Sequence, residues 1–217
     1  SEIDSKNELK ILEQIKKIVN EFRVEKRVVS RNDYFKMYIQ KTDKRMNELL
    51  SKNTQFKKIM NQEEIIINNK NYKNWKNIRN EIFNLSKLLF NKNDNCVIHG
   101  DLCFSNILYD LKNNQHKLID PRGNWGTSIF GDIKYDIAKL RHSLIGGYDS
   151  INNGLFSIKY EKQNIIFEVY KPDAHKEMSK KMDLWISKNW NLDQIKLIEG
   201  LLFISMLPLH KNNFKKQ

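Results

Sequence analysis

An aspartate, an asparagine and a second aspartate stand at intervals of five and fourteen residues near the middle of this 217-residue chain. They are Asp101 and Asn106 in His99-Gly100-Asp101-Leu102-Cys103-Phe104-Ser105-Asn106, and Asp120 in Leu118-Ile119-Asp120-Pro121-Arg122-Gly123. A carboxylate and a side-chain amide oxygen are hard ligands suited to magnesium, which uses few protein oxygens and fills its shell with water and phosphate oxygens. A further carboxylate one short loop away can orient a hydroxyl and accept its proton. Together these groups are the parts needed to hold a phosphate and move it between oxygens. Asn and Asp are also common turn residues. Taken singly each would be turn chemistry, but the set draws on two separate segments, each beside an apolar run.

Such chemistry requires elements that bring the three side chains together. Ile107–Asp110 and His116–Ile119 read as strands, joined by the polar turn Leu111–Gln115. Antiparallel pairing with Ile107 opposite Ile119 and Tyr109 opposite Lys117 places Asn106 opposite Asp120, about 5 Å apart at Cα. Upstream, Cys96-Val97-Ile98 reads as a buried strand that delivers His99, which suits a hydrogen-bonded loop brace better than a proton shuttle. Downstream, Asp132 caps a helix running to about Ile145, with Ile133, Ile137, Leu140 and Leu144 on one face. Asp136 lies beside that stripe, where an unpaired carboxylate is costly; Lys134 and Lys139 are partners within reach. Arg122 either contacts phosphate or bridges to a carboxylate and fixes the loop.

His-Gly-Asp, four residues, Asn, and a later Ile-Asp resemble the large lobe of the aminoglycoside phosphotransferase and choline kinase superfamily. The chain is more similar still to the kinase-like domain of bacterial capsular-polysaccharide and cell-surface biosynthesis proteins. That closer likeness rests on Ile119-Asp120-Pro121-Arg122-Gly123, on Gly131 to Leu140 and on Ser205 to His210. It runs from about Tyr38 onward and is specific between Val97 and Tyr148. The resemblance implies an α+β fold: the mainly helical large (C-terminal) lobe of a protein-kinase-like fold, with short catalytic and metal-site hairpins. It implies Asp101 as the catalytic residue, Asn106 and Asp120 as ligands of Mg2+, and ATP or another nucleoside triphosphate as donor. His99 and Asp136 are implied as braces, Asp136 accepting hydrogen bonds from the loop backbone. The acceptor implied is a small-molecule hydroxyl on a sugar, amino alcohol or choline-like metabolite, in capsule or cell-surface polysaccharide biosynthesis. The alternative is a catalytically inactive kinase-like binding or scaffold module of a larger biosynthetic protein.

The rest of the chain reads as one domain over 1–217, with a helical part (1–95), the catalytic and metal segment (96–150) and an acceptor-binding part (151–217). Leu9, Leu12, Ile15, Ile18, Val19 and Phe22 predict a first amphipathic helix. Tyr34, Tyr38, Met46, Leu49 and Leu50 predict a second, and Trp75, Ile78, Ile82, Leu85 and Leu89 a third. The residues before His99 therefore read as helices, and all eight glycines lie at Gly100 or later, so no Gly-rich phosphate loop precedes the motif. The superfamily's small β-rich lobe is absent from the sequence. The expectation is a piece of a longer protein, partnered by that lobe or by a fused nucleotidyltransferase domain. Leu155 to Tyr160 and Ile165 to Tyr170 predict a hairpin, followed by two helices, the second ended by Pro208. Trp125, Asp132, Tyr148 and Trp185 are candidates for an acceptor pocket. Trp125, Phe130, Tyr148, Trp185 and Trp190 either wall a choline-like cation or belong to the core.

Composition bounds the partners. The net charge of +12 comes from 38 basic residues, of which 31 are lysine, accompanied by 27 asparagines. That Lys/Asn bias spreads along solvated faces without stacking aromatics between, so nucleic acid is not an expected partner. No apolar run approaches a membrane span, and Cys96 and Cys103 have no metal-type spacing. A cytoplasmic location is expected.

Overall fold

Leu12, Ile15, Ile18 and Val19 recur at three- and four-residue spacing and all four are buried, which makes Ser5–Phe22 an amphipathic helix, α1. The computed structural model describes residues 5–126 and 128–210. A second helix starts where the Ser30 hydroxyl accepts the Asp33 N–H at 3.1 Å. It runs as α2 (Arg31–Tyr34), a widened π turn (Phe35–Gln40) and α3 (Lys41–Lys52). The extra residue in that turn rotates the helix face, so Met37, Tyr38 and Ile39 are all buried in succession. After α4 (Thr54–Met60) comes a hairpin, β1 (Glu64–Ile67) and β2 (Lys70–Lys73), then α5 (Trp75–Ser86). The all-helical expectation for the residues before His99 is corrected here. Asn68 and Asn69 both take positive φ, 50° and 62°, the two-residue turn that matches strand twist.

The middle of the chain supplies three pieces of scaffold. Strand β3 (Asn95–Val97) pairs antiparallel with β6 (Phe130–Asp132), and β4 (Ile107–Asp110) pairs with β5 (Gln115–Leu118). From β6 the chain enters α6 (Ile133–Leu144), whose N-cap is the Asp132 carboxylate accepting the Lys134 N–H at 3.0 Å. The predicted capped helix and its apolar face are both present. After α7 (Tyr148–Asn152) come β7 (Phe156–Glu161), β8 (Asn164–Val169), α8 (Ala174–Asn189) and α9 (Leu192–Met206). Ile133, Ile137 and Leu140 of α6 are buried with Met182 and Ile186 of α8 and Ile195, Ile198 and Leu202 of α9. Each such side chain contributes about 1.5–3 kcal/mol by leaving water. Arg141 ties the three helices together, its Nε donating to Asp183 at 2.9 Å and its Nη1 to Glu199.

The four-stranded sheet, in order β2-β1-β8-β7, stands outside this core. Its register puts Ile65, Ile67, Phe156, Ile158, Ile165 and Phe167 on one face, yet none of its residues is fully buried. The fold is mixed α+β and mainly helical, with small sheets. Among the described residues no helix is long and apolar enough to cross a membrane, and both cysteines are free.

Candidate active site

The hairpin carrying the motif forms, but one residue out of the expected register. Ile107 faces Leu118 and Tyr109 faces His116, so Asn106 lies beside Ile119, whose N–H donates to the Asn106 carbonyl at 3.0 Å. The turn is shorter than predicted. The Asp110 carboxylate accepts the N–H groups of Lys112 and Asn113 at 2.9 and 3.1 Å, and Asn114 closes the loop at φ 53°. A one-residue slip normally sends a side chain to the opposite face. Here Asp120 leaves the ladder instead, at φ 53°. A left-handed aspartate directly before a proline is strained, at a cost of about 1–3 kcal/mol that folds tolerate mostly at functional sites.

The loop from His99 to Phe104 is held by one face of α6. The Asp136 carboxylate accepts the N–H groups of His99 and Gly100 at 2.7 and 2.8 Å. Burial pushes its pKa up to about 7 against these backbone hydrogen bonds. One turn on, Lys139 Nζ meets Asp101 Oδ1 at 2.6 Å. Burial opposes the lysine's charge, but the Asp101 carboxylate outweighs it and holds Lys139 above its ordinary value. A further turn on, the Ser143 hydroxyl accepts the Phe104 N–H at 3.2 Å. Positions 136, 139 and 143 share a helix face, so each loop residue meets a partner of fitting chemistry. His99 locks the other side: Nδ1 accepts the Asp101 N–H at 3.3 Å while Nε2 lies 3.0 Å from the Ile119 carbonyl. With Nδ1 accepting, Nε2 carries the proton. Burial lowers the pKa of His99, which favours that neutral tautomer. Gly100 takes φ +78°, and a Cβ there would come within 2.8 Å of Arg122 Cβ, so the loop needs glycine.

Asn106 donates its Nδ2 to the Asp101 carbonyl at 2.9 Å. That bond settles which end of the amide is which and leaves Oδ1 as the group a cation can use. Asp101 and Asp120 line one cavity of about 200 Å3 with Gly100, Arg122, Lys139 and Arg45; Asn106 stands outside that lining. Among the described residues Asp120 is in no ion pair, and no three His, Cys, Asp or Glu side chains form a metal cluster. A donor set of one amide oxygen and one carboxylate suits an ion that takes the remainder of its ligands from water and phosphate.

No protein family, curated protein or solved structure matches the chain. The functional reading therefore stands on this geometry and on the motif.

The four candidate acceptor residues are dispersed. Trp125 is 1 % exposed and packs edge-on against Tyr34, Tyr38 and Tyr135. Asp132 is fully buried, capping α6 and accepting the Tyr38 hydroxyl at 2.9 Å; neither residue presents surface to a ligand. Tyr148 stacks on His142, and Trp185 packs against Trp190, which lies beneath Arg23. Phe130 lies under Arg27. The five aromatics thus fall into separate clusters rather than one wall. Among the described residues Arg122 pairs with no carboxylate: its Nη1 donates to the Tyr135 hydroxyl at 3.0 Å and its N–H to the His99 carbonyl at 2.9 Å. Sequence reasoning missed Lys139 as the partner of Asp101. Its place one turn after Asp136 on a buried face was the available signal. It missed Arg45, Lys41 and Tyr135 altogether, because their meeting depends on tertiary packing.

Proposed function

We propose that this chain carries the catalytic and metal-binding half of a magnesium-dependent phosphotransferase that uses a nucleoside triphosphate such as ATP and an alcohol acceptor. The observation that carries the reading is the Asn106 amide. Its nitrogen is spent on the Asp101 carbonyl, so its oxygen is presented as a ligand five residues after the carboxylate that would handle the hydroxyl. Asp101, held by Lys139, orients the acceptor hydroxyl and takes its proton. Asp120, held out of the ladder by its left-handed backbone, and Asn106 would hold Mg2+, which supplies charge neutralisation for the phosphates. His99 and Asp136 keep the loop rigid, so little reorganisation is needed at the moment of transfer. The likeness of Ile119–Gly123 to capsule and cell-surface biosynthesis proteins supports a sugar, polyol or amino-alcohol acceptor from that chemistry, in the cytoplasm where nucleotides are plentiful. A small β-rich lobe or a fused nucleotidyltransferase domain would complete the nucleotide site, and the chain alone should bind nucleotide weakly.

A magnesium-dependent transfer screen over sugars, polyols and amino alcohols tests this, using the longest native chain. Asp101→Asn and Asp120→Asn should each lower turnover about 10²- to 10⁴-fold, with both variants still folded, although Asp101→Asn also loses the partner of the buried Lys139. Unaltered activity in both variants would sink the assignment. One observation favours a second reading, a binding module without turnover: an oxygen of Asp101 is already engaged by Lys139. That reading requires acceptor or nucleotide binding without any phosphoryl transfer.

A further inference from the structure

Arg45 and Arg122 line the cavity of Asp101 and Asp120, and Lys41 stands behind them on the hydroxyl of Tyr135. Arg45, on α3, donates its Nη1 to the Ser205 carbonyl of α9 at 2.9 Å. Arg122 and Lys41 both donate to the single hydroxyl of Tyr135, at 3.0 and 3.1 Å. Among the described residues none of the three is in an ion pair, whereas Lys139 has Asp101. Lys41 is held below its ordinary pKa by burial, against the pull of Tyr135, with smaller contributions from the repulsion of Arg122 and Arg45. Tyr135 is drawn below its own ordinary value despite burial, because Lys41, Arg122 and Lys139 surround it. Lys41 and Arg45 are half-buried and Arg122 is exposed; half-buried cations left without a carboxylate are favourable where an anion belongs beside them.

The position of the cluster says which anion. Asp120 marks the edge of the cavity nearest the hairpin, and Asn106 lies outside its lining. Asp101 and Lys139 line the cavity too, and so do Arg45 of α3, Leu202 and Ser205 of α9, and Leu209 just after α9. A hydroxyl in reach of Asp101 occupies this space, so the cations that line it face the acceptor. The volume of about 200 Å3 is below the ~300–1,000 Å3 of ordinary ligand sites, which favours a compact group. We propose that the acceptor is an anionic alcohol, a hydroxy compound bearing a phosphate monoester or a carboxylate, whose charge is received by Arg45 and Arg122 with Lys41 behind them. A choline-like cation would meet the same cluster with repulsion. This inference rests on the phosphotransferase reading for the word acceptor, but the anion site itself does not.

The test separates the two. Calorimetric binding to the longest native chain is measured with glycerol 3-phosphate and glucuronate, against glycerol, glucose and choline, at fixed ionic strength. The anionic probes should bind about tenfold or more tightly than their neutral counterparts, and their rank tells phosphate from carboxylate. Arg45→Gln and Arg122→Gln should each cost about tenfold, the size of one lost charge-assisted hydrogen bond. Arg45→Lys should recover part of the loss, which a folding defect would not allow. Mg·ATP affinity should be unchanged in Arg45→Gln. A matching loss of Mg·ATP affinity would assign these cations to the donor's phosphates and overturn the inference. So would equal binding of neutral and anionic probes, or phosphoryl transfer to neutral or cationic alcohols only, and the latter would leave the phosphotransferase reading standing. Selective anion binding with no transfer to any alcohol would sink the phosphotransferase reading and leave the site.

Discussion

His142 stands fully buried between Tyr148 and Phe203, its ring centroid 4.4 and 4.1 Å from theirs, and among the described residues neither ring nitrogen has a partner. Burial, assisted by Lys139, pushes its pKa down to about 3 from an ordinary 6.5. The unfolded chain therefore takes up a proton below pH 6.5 that the folded chain refuses, so this residue removes stability as pH falls from 6.5 toward 3. His142→Phe keeps the stacking and abolishes the term. The variant should exceed the wild type by about 2–3 kcal/mol at pH 4.5, two units below 6.5 at 1.36 kcal/mol each. Urea denaturation at pH 4.5 and 7.5 measures it, and a difference independent of pH would show that the imidazole titrates freely. What was legible at this scale was what is local. His99, Asp101, Asn106, Asp120 and Asp136 announce themselves by type and spacing, and the first three are joined by bonds within one loop. Lys139 carried a weak signal in its place one turn after Asp136, but Arg45 and Lys41 are two among 38 basic residues, and nothing in their neighbours marks them as meeting at this cavity.

At the scale of elements, α6 was readable because its signals agree: a capping aspartate, an apolar stripe and no glycine inside. The hairpin register was not, because it turned on whether Asp110 would spend its carboxylate on the turn backbone. The β1–β2 hairpin was missed although Ile65, Ile66 and Ile67 precede an Asn-Asn turn. Lysine and asparagine dilute the alternation that marks a strand, and β2 is exposed along its whole length. Asp132, read from sequence as both a cap and an acceptor contact, lies wholly inside. It caps α6, accepts Tyr38, and faces Lys134 Nζ at 3.8 Å. Burial pushes its pKa up to about 7, with Lys134 pulling the other way. Asp132→Ala removes a cap, about 0.5–2 kcal/mol, and strands the buried Tyr38 hydroxyl at about 1–3 kcal/mol. The expected result is a loss of about 2–4 kcal/mol in urea melts. Under non-denaturing conditions the surviving folded fraction should keep its acceptor KM. A raised KM with stability intact would return Asp132 to the acceptor pocket.

Across the whole molecule the two architectural parts differ in what holds them. The helical body holds the buried apolar core, and α6, α8 and α9 are cross-tied through Arg141. The four-stranded sheet has an apolar face but no fully buried residue, and its strands rest on main-chain ladders and the side-chain bonds of Asn68, Asn69 and Asn164. Ladders accessible to water open locally, whereas the amides of α6 are released only when the core comes apart. The loop that carries Asp101 hangs on α6, so the proposed catalytic groups are referenced to the buried core and local opening of the sheet need not disturb them. Native-state hydrogen exchange should report amides of β1, β2, β7 and β8 exchanging at least ~100-fold faster than those of α6, an opening free energy lower by about 3 kcal/mol or more. Adding 1 M urea should leave the sheet's exchange nearly unchanged while accelerating that of α6, since only the second opening exposes large apolar area. Equal protection in both regions, with the same urea response, would make the sheet part of the core's cooperative unit. The apolar face over Ile65, Ile158 and Phe167 would then have to contribute stability that its exposure does not account for.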